Sequence, residues 1–205
     1  MKKFLIVSLV ILFAAAVLPQ TAAAGVGVKG GYAWSNLRFA GGTDLPTTTD
    51  IKNLVGGVYF SIGLGLFSIQ PEVLYVRQGG RMEALPDWDE YRLDYIQVPV
   101  LLKIHVIPGP ISPMIYGGPY GAYRLSAKGV SFFDGELEPA VDIKNRIKST
   151  DYGLVFGGGI DFRLPVIKLS AEVRYNLGLA NIAKGLDPGM SVKNKSLMVL
   201  VGIGF

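Results

Sequence analysis

Eight charged side chains are the residues of this sequence best able to act together. Five are basic and three are acidic, so they can either line a polar conduit for a small solute or pair with one another. They are Lys29, Glu72, Lys103, Arg124, Asp161, Arg163, Glu172 and Arg174. Which of the two roles they have depends on the space between the elements that carry them.

His105 is the only histidine and therefore the only candidate for an imidazole base. Such a base activates a nucleophile only when the two side chains lie close together. The sequence offers no serine with a convincing position for that role, and it contains no cysteine. We therefore expect a protein that is not an enzyme.

Cofactor and metal motifs are weak or absent. Without cysteine, the chain cannot form disulfides or thiolate zinc sites. Residues 25–30 match the pattern G-x-G-x-x-G, but a dinucleotide site needs a strand before the glycines and a helix after them. Here an apolar leader precedes and a strand pattern continues, so we expect no bound nucleotide, no other cofactor and no metal.

The first 24 residues have the three-part pattern of a signal peptide. Lys2 and Lys3 precede an uncharged apolar run from Phe4 to Leu18, and the small residues up to Ala24 form a cleavage site. The run is short for a membrane-spanning helix, which needs about 20 residues. We expect cleavage after Ala24 and export, which leaves 25–205 as one domain with no nucleic-acid partner.

The exported part alternates with a period of two residues. In the segment 166–178, Lys168, Glu172 and Arg174 share one parity, while Ile167 and Val173 share the other. Side chains alternate across a strand, so this pattern predicts a strand with one polar and one apolar face. Similar patterns predict eight strands, at about 22–37, 54–65, 67–78, 93–106, 112–127, 150–163, 166–180 and 194–205.

The predicted connections alternate between short and long. The long ones, at 38–53, 79–92, 128–149 and 181–193, are rich in Gly, Pro, Asp, Thr and Asn. This alternation is typical of an up-and-down meander with unequal ends. Loops 79–92 and 128–149 place aromatic residues beside carboxylates, for example Trp88 beside Asp89, and such loops often carry recognition.

The apolar faces favour a membrane barrel over a soluble one. They carry few charges over spans of about 10 residues, the length that a tilted strand needs to cross a bilayer. Aromatic residues that mark membrane interfaces flank them: Tyr32, Trp34, Tyr75, Tyr123, Tyr152, Phe162, Tyr175 and Phe205. We therefore predict an all-β, eight-stranded antiparallel up-and-down transmembrane β-barrel in a bacterial outer membrane.

The chain also resembles the PorT-type outer-membrane β-barrel family. The matching segments are 27–32 (GVKGGY), 35–37 (SNL), 70–75 (QPEVLY), 94–103 (DYIQVPVLLK), 117–121 (GGPYG), 151–154 (DYGL) and 174–182 (RYNLGLANI). The resemblance implies an eight-stranded outer-membrane barrel. A C-terminal Phe205 after an alternating strand is also similar to the terminal signal of such barrels, which implies contact with the barrel-assembly machinery.

The eight charges then face a narrow bore, since eight strands leave room for little more than side chains. We expect the paired network, with Glu72 bound to Lys103 on the neighbouring strand. Glu172 and Arg174 are expected to pair with Asp161 or Arg163.

The function expected from the sequence is a structural or interaction role with long extracellular loops. Two alternatives stay open: a narrow pore for small solutes, and an accessory subunit of a protein-export or envelope assembly. The expected partners are outer-membrane lipid and lipopolysaccharide, with an envelope protein as a possible addition.

Overall fold

The computed structural model describes residues 23–41, 47–84, 87–107, 109–185 and 189–205. The expected signal peptide falls almost entirely outside these residues. Its last two positions, Ala23 and Ala24, begin the first strand, so cleavage after Ala24 leaves that strand from Gly25 onward.

Eight long strands form the wall, and we number them in chain order. They are β1 (Ala23–Ala40), β2 (Ile51–Leu64), β3 (Phe67–Ala84), β4 (Asp87–His105), β5 (Ile111–Phe133), β6 (Thr150–Arg163), β7 (Lys168–Gly178) and β8 (Ser191–Gly204). In the described residues, the connections hold the short strands Thr48–Thr49, Glu136–Leu137 and Val141–Asp142 and the 3-10 turn Lys144–Arg146. No helix in these parts of the chain is long and apolar enough to cross a membrane.

The strands form a closed ring. Each wall strand pairs antiparallel with the next one along the chain, and β8 returns to pair with β1 from Gly27 opposite Gly204 to Ala40 opposite Ser191. The predicted eight-stranded antiparallel up-and-down barrel is therefore confirmed. Closure pairs the backbone groups of every wall strand on both sides, as a structure surrounded by lipid requires.

The barrel is apolar outside and polar inside. On β2, Leu54 is 67% exposed, whereas Glu72 on β3 is only 1% exposed. Outward positions form a continuous apolar band, which on β4 runs from Ile96 to Ile104. This is the reverse of a soluble protein, in which apolar side chains fill the interior, and it matches the alternation read from the sequence.

Aromatic and charged side chains mark the edges of the band. Exposed Phe67, Phe162 and Phe205 lie near the strand ends that carry the short turns. On the other side, Tyr75 is followed by an outward ion pair between Arg77 and Asp94, whose nitrogen and oxygen are 2.6 Å apart. The apolar band therefore ends at a charged layer on β3 and β4.

The wall continues beyond this layer, so the loop predicted at 79–92 is wrong. β3 runs on to Ala84 and β4 starts at Asp87, while β5 is 23 residues long. A polar cross-strand pair holds this extension, because Glu90 accepts hydrogen bonds from Arg81 on β3. Arg92, on the same strand as Glu90, also donates to its carboxylate. The Trp88 and Phe132 rings stack beside them at 5.7 Å.

The two ends of the barrel differ. At the end that we call the short-turn end, β2–β3, β4–β5 and β6–β7 are joined across residues 65–66, 106–110 and 164–167. At the opposite end, the long-loop end, lie the extended strands and the segments 134–149, 179–185 and 189–190. β1 begins at the short-turn end, and β8 finishes there.

Candidate functional site: charged residues in the barrel interior

Five of the eight charged residues meet in the bore, and we call them the ionic cluster. They are Lys29 on β1, Glu72 on β3, Lys103 on β4, and Glu172 and Arg174 on β7. All five are buried. Each occupies an inward position because its neighbours of opposite parity belong to the apolar outer face.

Glu72 lies between two cations. Its carboxylate accepts a hydrogen bond from Lys29 Nζ at 2.7 Å and two from the Arg174 guanidinium at 2.7 and 3.0 Å. The side-chain amide of Gln70 donates a fourth at 2.6 Å. The two-pronged contact with Arg174 is the strong, planar form of carboxylate recognition.

Glu172 has three cationic partners. Lys103 Nζ donates to it at 2.8 Å, Lys29 Nζ at 3.0 Å and Arg174 Nη2 at 3.0 Å. The Tyr116 hydroxyl donates at 3.1 Å. The cluster thus joins three positive and two negative charges, and its two carboxylates have cations on several sides.

The partners within the cluster differ from those the sequence predicted. Glu72 does not pair with Lys103 on the neighbouring strand, and the Glu72–Arg174 and Lys103–Glu172 contacts join strands from different parts of the ring. Long side chains reach across the bore because eight strands enclose so little space. A cross-strand rule considers only neighbouring strands and so cannot find these partners.

Three of the eight predicted residues lie outside the cluster. Asp161 contacts His105 Nε2 at 3.1 Å and Lys168 Nζ at 3.8 Å, close to the short-turn end. Arg163, which is exposed, ends β6 at the rim of the same mouth. Neither of them pairs with Glu172 or Arg174 in the described part of the chain.

Arg124 lies at the opposite mouth. Its guanidinium donates to the carbonyl oxygens of Lys148 at 3.1 Å and Lys144 at 3.3 Å. It is inward-facing, as its parity predicts, but the segment 144–148 folds over the mouth and supplies its partners. A register shift of the β4–β5 pairing lies next to it, between Asp94 and Tyr95.

A second layer of side chains fills the bore towards the long-loop end. Ile147 and Ile182 come from the connecting segments and belong to a buried apolar cluster with Leu37, Leu93 and Val192 of the wall. We call these five residues the apolar plug. Ile147 also forms a backbone bridge with Ala183, which ties the two segments together. The sequence carries little signal for Ile147, because Leu137 and Val141 in the same segment are also apolar and yet are exposed.

Inward tyrosines lie over glycines on the facing strand. Tyr116 is directly opposite Gly157, and Tyr120 is directly opposite Gly153. A Cβ atom added to Gly157 would lie 2.5 Å from the Tyr116 ring, and one added to Gly153 would lie 2.7 Å from the Tyr120 ring. These glycines therefore give the rings room to lie against the wall, and Tyr116 can reach Glu172.

Comparison with known proteins agrees with a membrane barrel. The family of the outer membrane protein beta-barrel domain matches residues 19–184. Among solved structures, Neisserial surface protein A has 14% identity and a TM-score of 0.51, with 90% of this chain and 98% of that chain covered. No curated protein matches.

Two further solved structures are similar at lower scores. The attachment invasion locus protein Ail of Yersinia pestis has 16% identity and a TM-score of 0.43, with 89% of this chain and 99% of that chain covered. The N-terminal β-barrel domain of Pseudomonas aeruginosa OprF has 10% identity and a TM-score of 0.38, with 88% and 97% covered.

The fold and the apolar band define an integral barrel of the bacterial outer membrane. The chain belongs to the outer membrane protein beta-barrel domain family, whose model covers well over half of it. The likeness to Neisserial surface protein A supports the same fold.

Proposed function

We propose that this protein is a closed outer-membrane barrel with a structural or interaction role. The observation that carries the proposal is the ionic cluster, in which five buried charges contact one another across the bore. Charges that are already paired are poor ligands for a passing solute, and the apolar plug fills the bore at a second level. A non-enzymatic role is part of the proposal, and it is supported by His105, whose partner in the described residues is Asp161 and not a serine or threonine hydroxyl.

Interaction is proposed for the long-loop end. The tip of β5 and the segment after it expose Phe133, Leu137 and Val141, each more than 60% exposed, beside the stacked pair of Trp88 and Phe132. Exposed apolar groups that are not needed for a lipid contact favour binding to a partner. We propose that this end faces the outside of the cell.

Single-channel recording in planar bilayers tests the closed bore. We expect the purified full-length mature barrel to insert without producing steady currents, while an open porin conducts in the same membranes. Steady ohmic currents that scale with the amount of inserted protein would contradict the proposal and favour the narrow pore.

The orientation has its own test, which the absence of cysteine makes simple. Glu138→Cys lies in an exposed segment at the long-loop end, and Val166→Cys lies in an exposed turn at the short-turn end. We expect a membrane-impermeant maleimide to label Glu138→Cys in intact cells and Val166→Cys only after the outer membrane is opened. The reverse pattern would overturn the proposed orientation.

An accessory role in an export or envelope assembly is the second candidate. It is supported by the exposed apolar groups at the long-loop end and by the resemblance to PorT-type barrels. Crosslinking in cells followed by purification tests it. A stable partner lost with Phe133→Ser, but kept with Val166→Ser, supports this role.

A further inference from the structure

A cavity of about 500 Å³ opens at the short-turn mouth, on the other side of the bore from the apolar plug. Its walls come from the ends of β1 and β8 and from the turns 64–67 and 164–167. The polar residues that line it include Tyr59, Ser68, His105, Arg163 and Lys168. A cavity of this size is within the range of small-molecule sites.

Three of the lining side chains carry buried polar atoms without a partner in the described chain. These atoms are the Tyr59 hydroxyl oxygen, Ser68 Oγ and His105 Nδ1. The residues are 5%, 4% and 6% exposed, so each is more than nine-tenths buried. Buried polar groups normally have partners, and a polar ligand in this cavity could supply them for these three.

The two charged side chains that line the cavity, Lys168 and Arg163, are both basic. Lys168 and Arg163 are directly opposite each other in the β6–β7 register, and both line the mouth. Like charges in facing positions destabilise a sheet, and an anion between them relieves the repulsion. Asp161 supplies the nearby carboxylate, but its Oδ2 already contacts His105 and Lys168.

We propose that this cavity, the short-turn pocket, binds a small organic oxyanion, either a carboxylate or a phosphate monoester. Lys168 and Arg163 supply the positive charge, and the Tyr59 and Ser68 hydroxyls, which have no partner in the described chain, can donate hydrogen bonds once their side chains turn toward the ligand. Apolar residues of the turn 164–167, among them Leu164 and Ile167, border the cavity and can contact the organic part of the ligand. Asp161 contacts the His105 ring through Nε2, so this ring, which lines the cavity, can report on binding there.

The pocket is a binding site and not the entrance to a channel. The Tyr59 ring lies 5.0 Å from Lys29 Nζ of the ionic cluster and 5.6 Å from Lys168 Nζ of the pocket. Tyr59 thus separates the pocket from the cluster. The pocket lies on the short-turn side of the ionic cluster. Binding of an oxyanion there therefore does not depend on whether the long-loop end recognises a partner.

The single histidine makes binding directly measurable by NMR. The barrel is purified in detergent micelles without a histidine tag. The imidazole signals of His105 are then followed at constant pH and ionic strength. Inorganic phosphate and butyrate are titrated separately against sodium chloride. We expect a saturable shift with phosphate, with butyrate or with both; saturation by one alone identifies the oxyanion.

Two variants locate the site. Lys168→Met removes one of the two facing charges and should weaken the apparent affinity about tenfold or more, as loss of a charge-assisted hydrogen bond does. Lys193→Met makes the same change in charge at the long-loop end and should leave the affinity unchanged. Lys168→Arg keeps the charge and should retain binding, which separates ligand contact from a folding defect.

Either of two results would overturn the proposal. One is a His105 shift that stays linear, or equals the chloride shift, with both oxyanions. The other is an affinity that falls as much in Lys193→Met as in Lys168→Met when both variants are folded.

Discussion

At the scale of single residues, the ionic cluster shows how a barrel interior can hold charge out of water. Burial of an unpaired charge is costly, and pairing offsets the cost only when the geometry is good. Glu172 meets that condition with hydrogen bonds from Lys29, Lys103, Arg174 and Tyr116. Its removal leaves three cations with one carboxylate among them.

We predict that Glu172→Gln lowers the free energy of unfolding by about 3–5 kcal/mol, because it leaves buried cations without a counter-charge. The measurement is urea or heat unfolding in detergent micelles. Asp142→Asn removes the same charge from an exposed pair with Lys144 and should leave the unfolding midpoint unchanged. Equal midpoints for Glu172→Gln and the wild type would show that the cluster does not stabilise the barrel.

Glu90, outside the apolar band, gives a prediction for acid. Burial would raise the pKa of its carboxyl, but hydrogen bonds from Arg81 and Arg92 outweigh burial and lower the pKa below its ordinary value. A lowered folded-state pKa adds stability above the ordinary value of about 4.3, and that stability is lost as the pH falls through the folded-state pKa.

Unfolding midpoints at pH 7 and pH 3 measure this contribution. We expect the wild type to lose more stability between the two than Glu90→Gln does. Glu138→Gln removes a charge from an exposed site and should lose as much as the wild type. If the wild type and Glu90→Gln lost the same stability between pH 7 and pH 3, a role for this ion pair would be excluded.

The sequence predicts on which face of the barrel wall a strand residue lies, but it does not predict which residue that side chain pairs with. Alternation along β7 places Glu172 and Arg174 on the inward face, and the structure agrees. The contact between Arg174 and Glu72 depends on the width of the ring and on side-chain reach, which no local pattern encodes. The short-turn pocket was missed for the same reason, since Ser68, His105 and Lys168 are far apart in the chain.

At the scale of elements, each long strand has two parts. In one part the outward residues contact lipid, and in the other, beyond the lipid, pairing with neighbouring strands holds the strand. Inside the apolar band, the period-two pattern is strict and predicted the strands well; β6, at Thr150–Arg163, has the predicted bounds. Beyond the band the outer face also carries charged side chains, such as Arg81 and Arg92, so the alternation between apolar and polar residues fades while pairing continues. The sequence therefore predicted loops where β3, β4 and β5 extend.

Glycine opposite tyrosine is a second element-scale feature with a testable cost. Gly157→Ala places a methyl group 2.5 Å from the Tyr116 ring, so the ring or the wall must move. We expect a loss of about 1–3 kcal/mol in unfolding free energy, typical of overpacking. Gly121→Ala on the neighbouring β5 meets nothing within 4 Å and is the matched control. Similar stability of the two variants would refute the packing role of Gly157.

At the scale of the whole molecule, the apolar band makes the cost of an outward-facing charge depend on how deep in the bilayer it lies. Val100 lies in the middle of the β4 part of the band, whereas Leu125 lies towards the long-loop end of β5, near the register shift. Arginine at the bilayer midplane costs about 2–4 kcal/mol, falling to about 0–1 kcal/mol near the interface.

We predict that Val100→Arg destabilises the barrel in lipid bilayers far more than Leu125→Arg does. Reversible urea unfolding in phospholipid vesicles measures both against the wild type. If both variants lost the same free energy, Val100 would not face the hydrocarbon core.

The pairing of β1 with β8 has a consequence for biogenesis. This seam joins the earliest and latest wall strands, so the ring stays open until translation and export have delivered β8. Until then β1 presents a free edge, which can recruit foreign strands and aggregate. Truncation of β8 should therefore leave this edge of β1 open in the periplasm, and we expect the truncated chain to be degraded, which immunoblots of whole cells would measure.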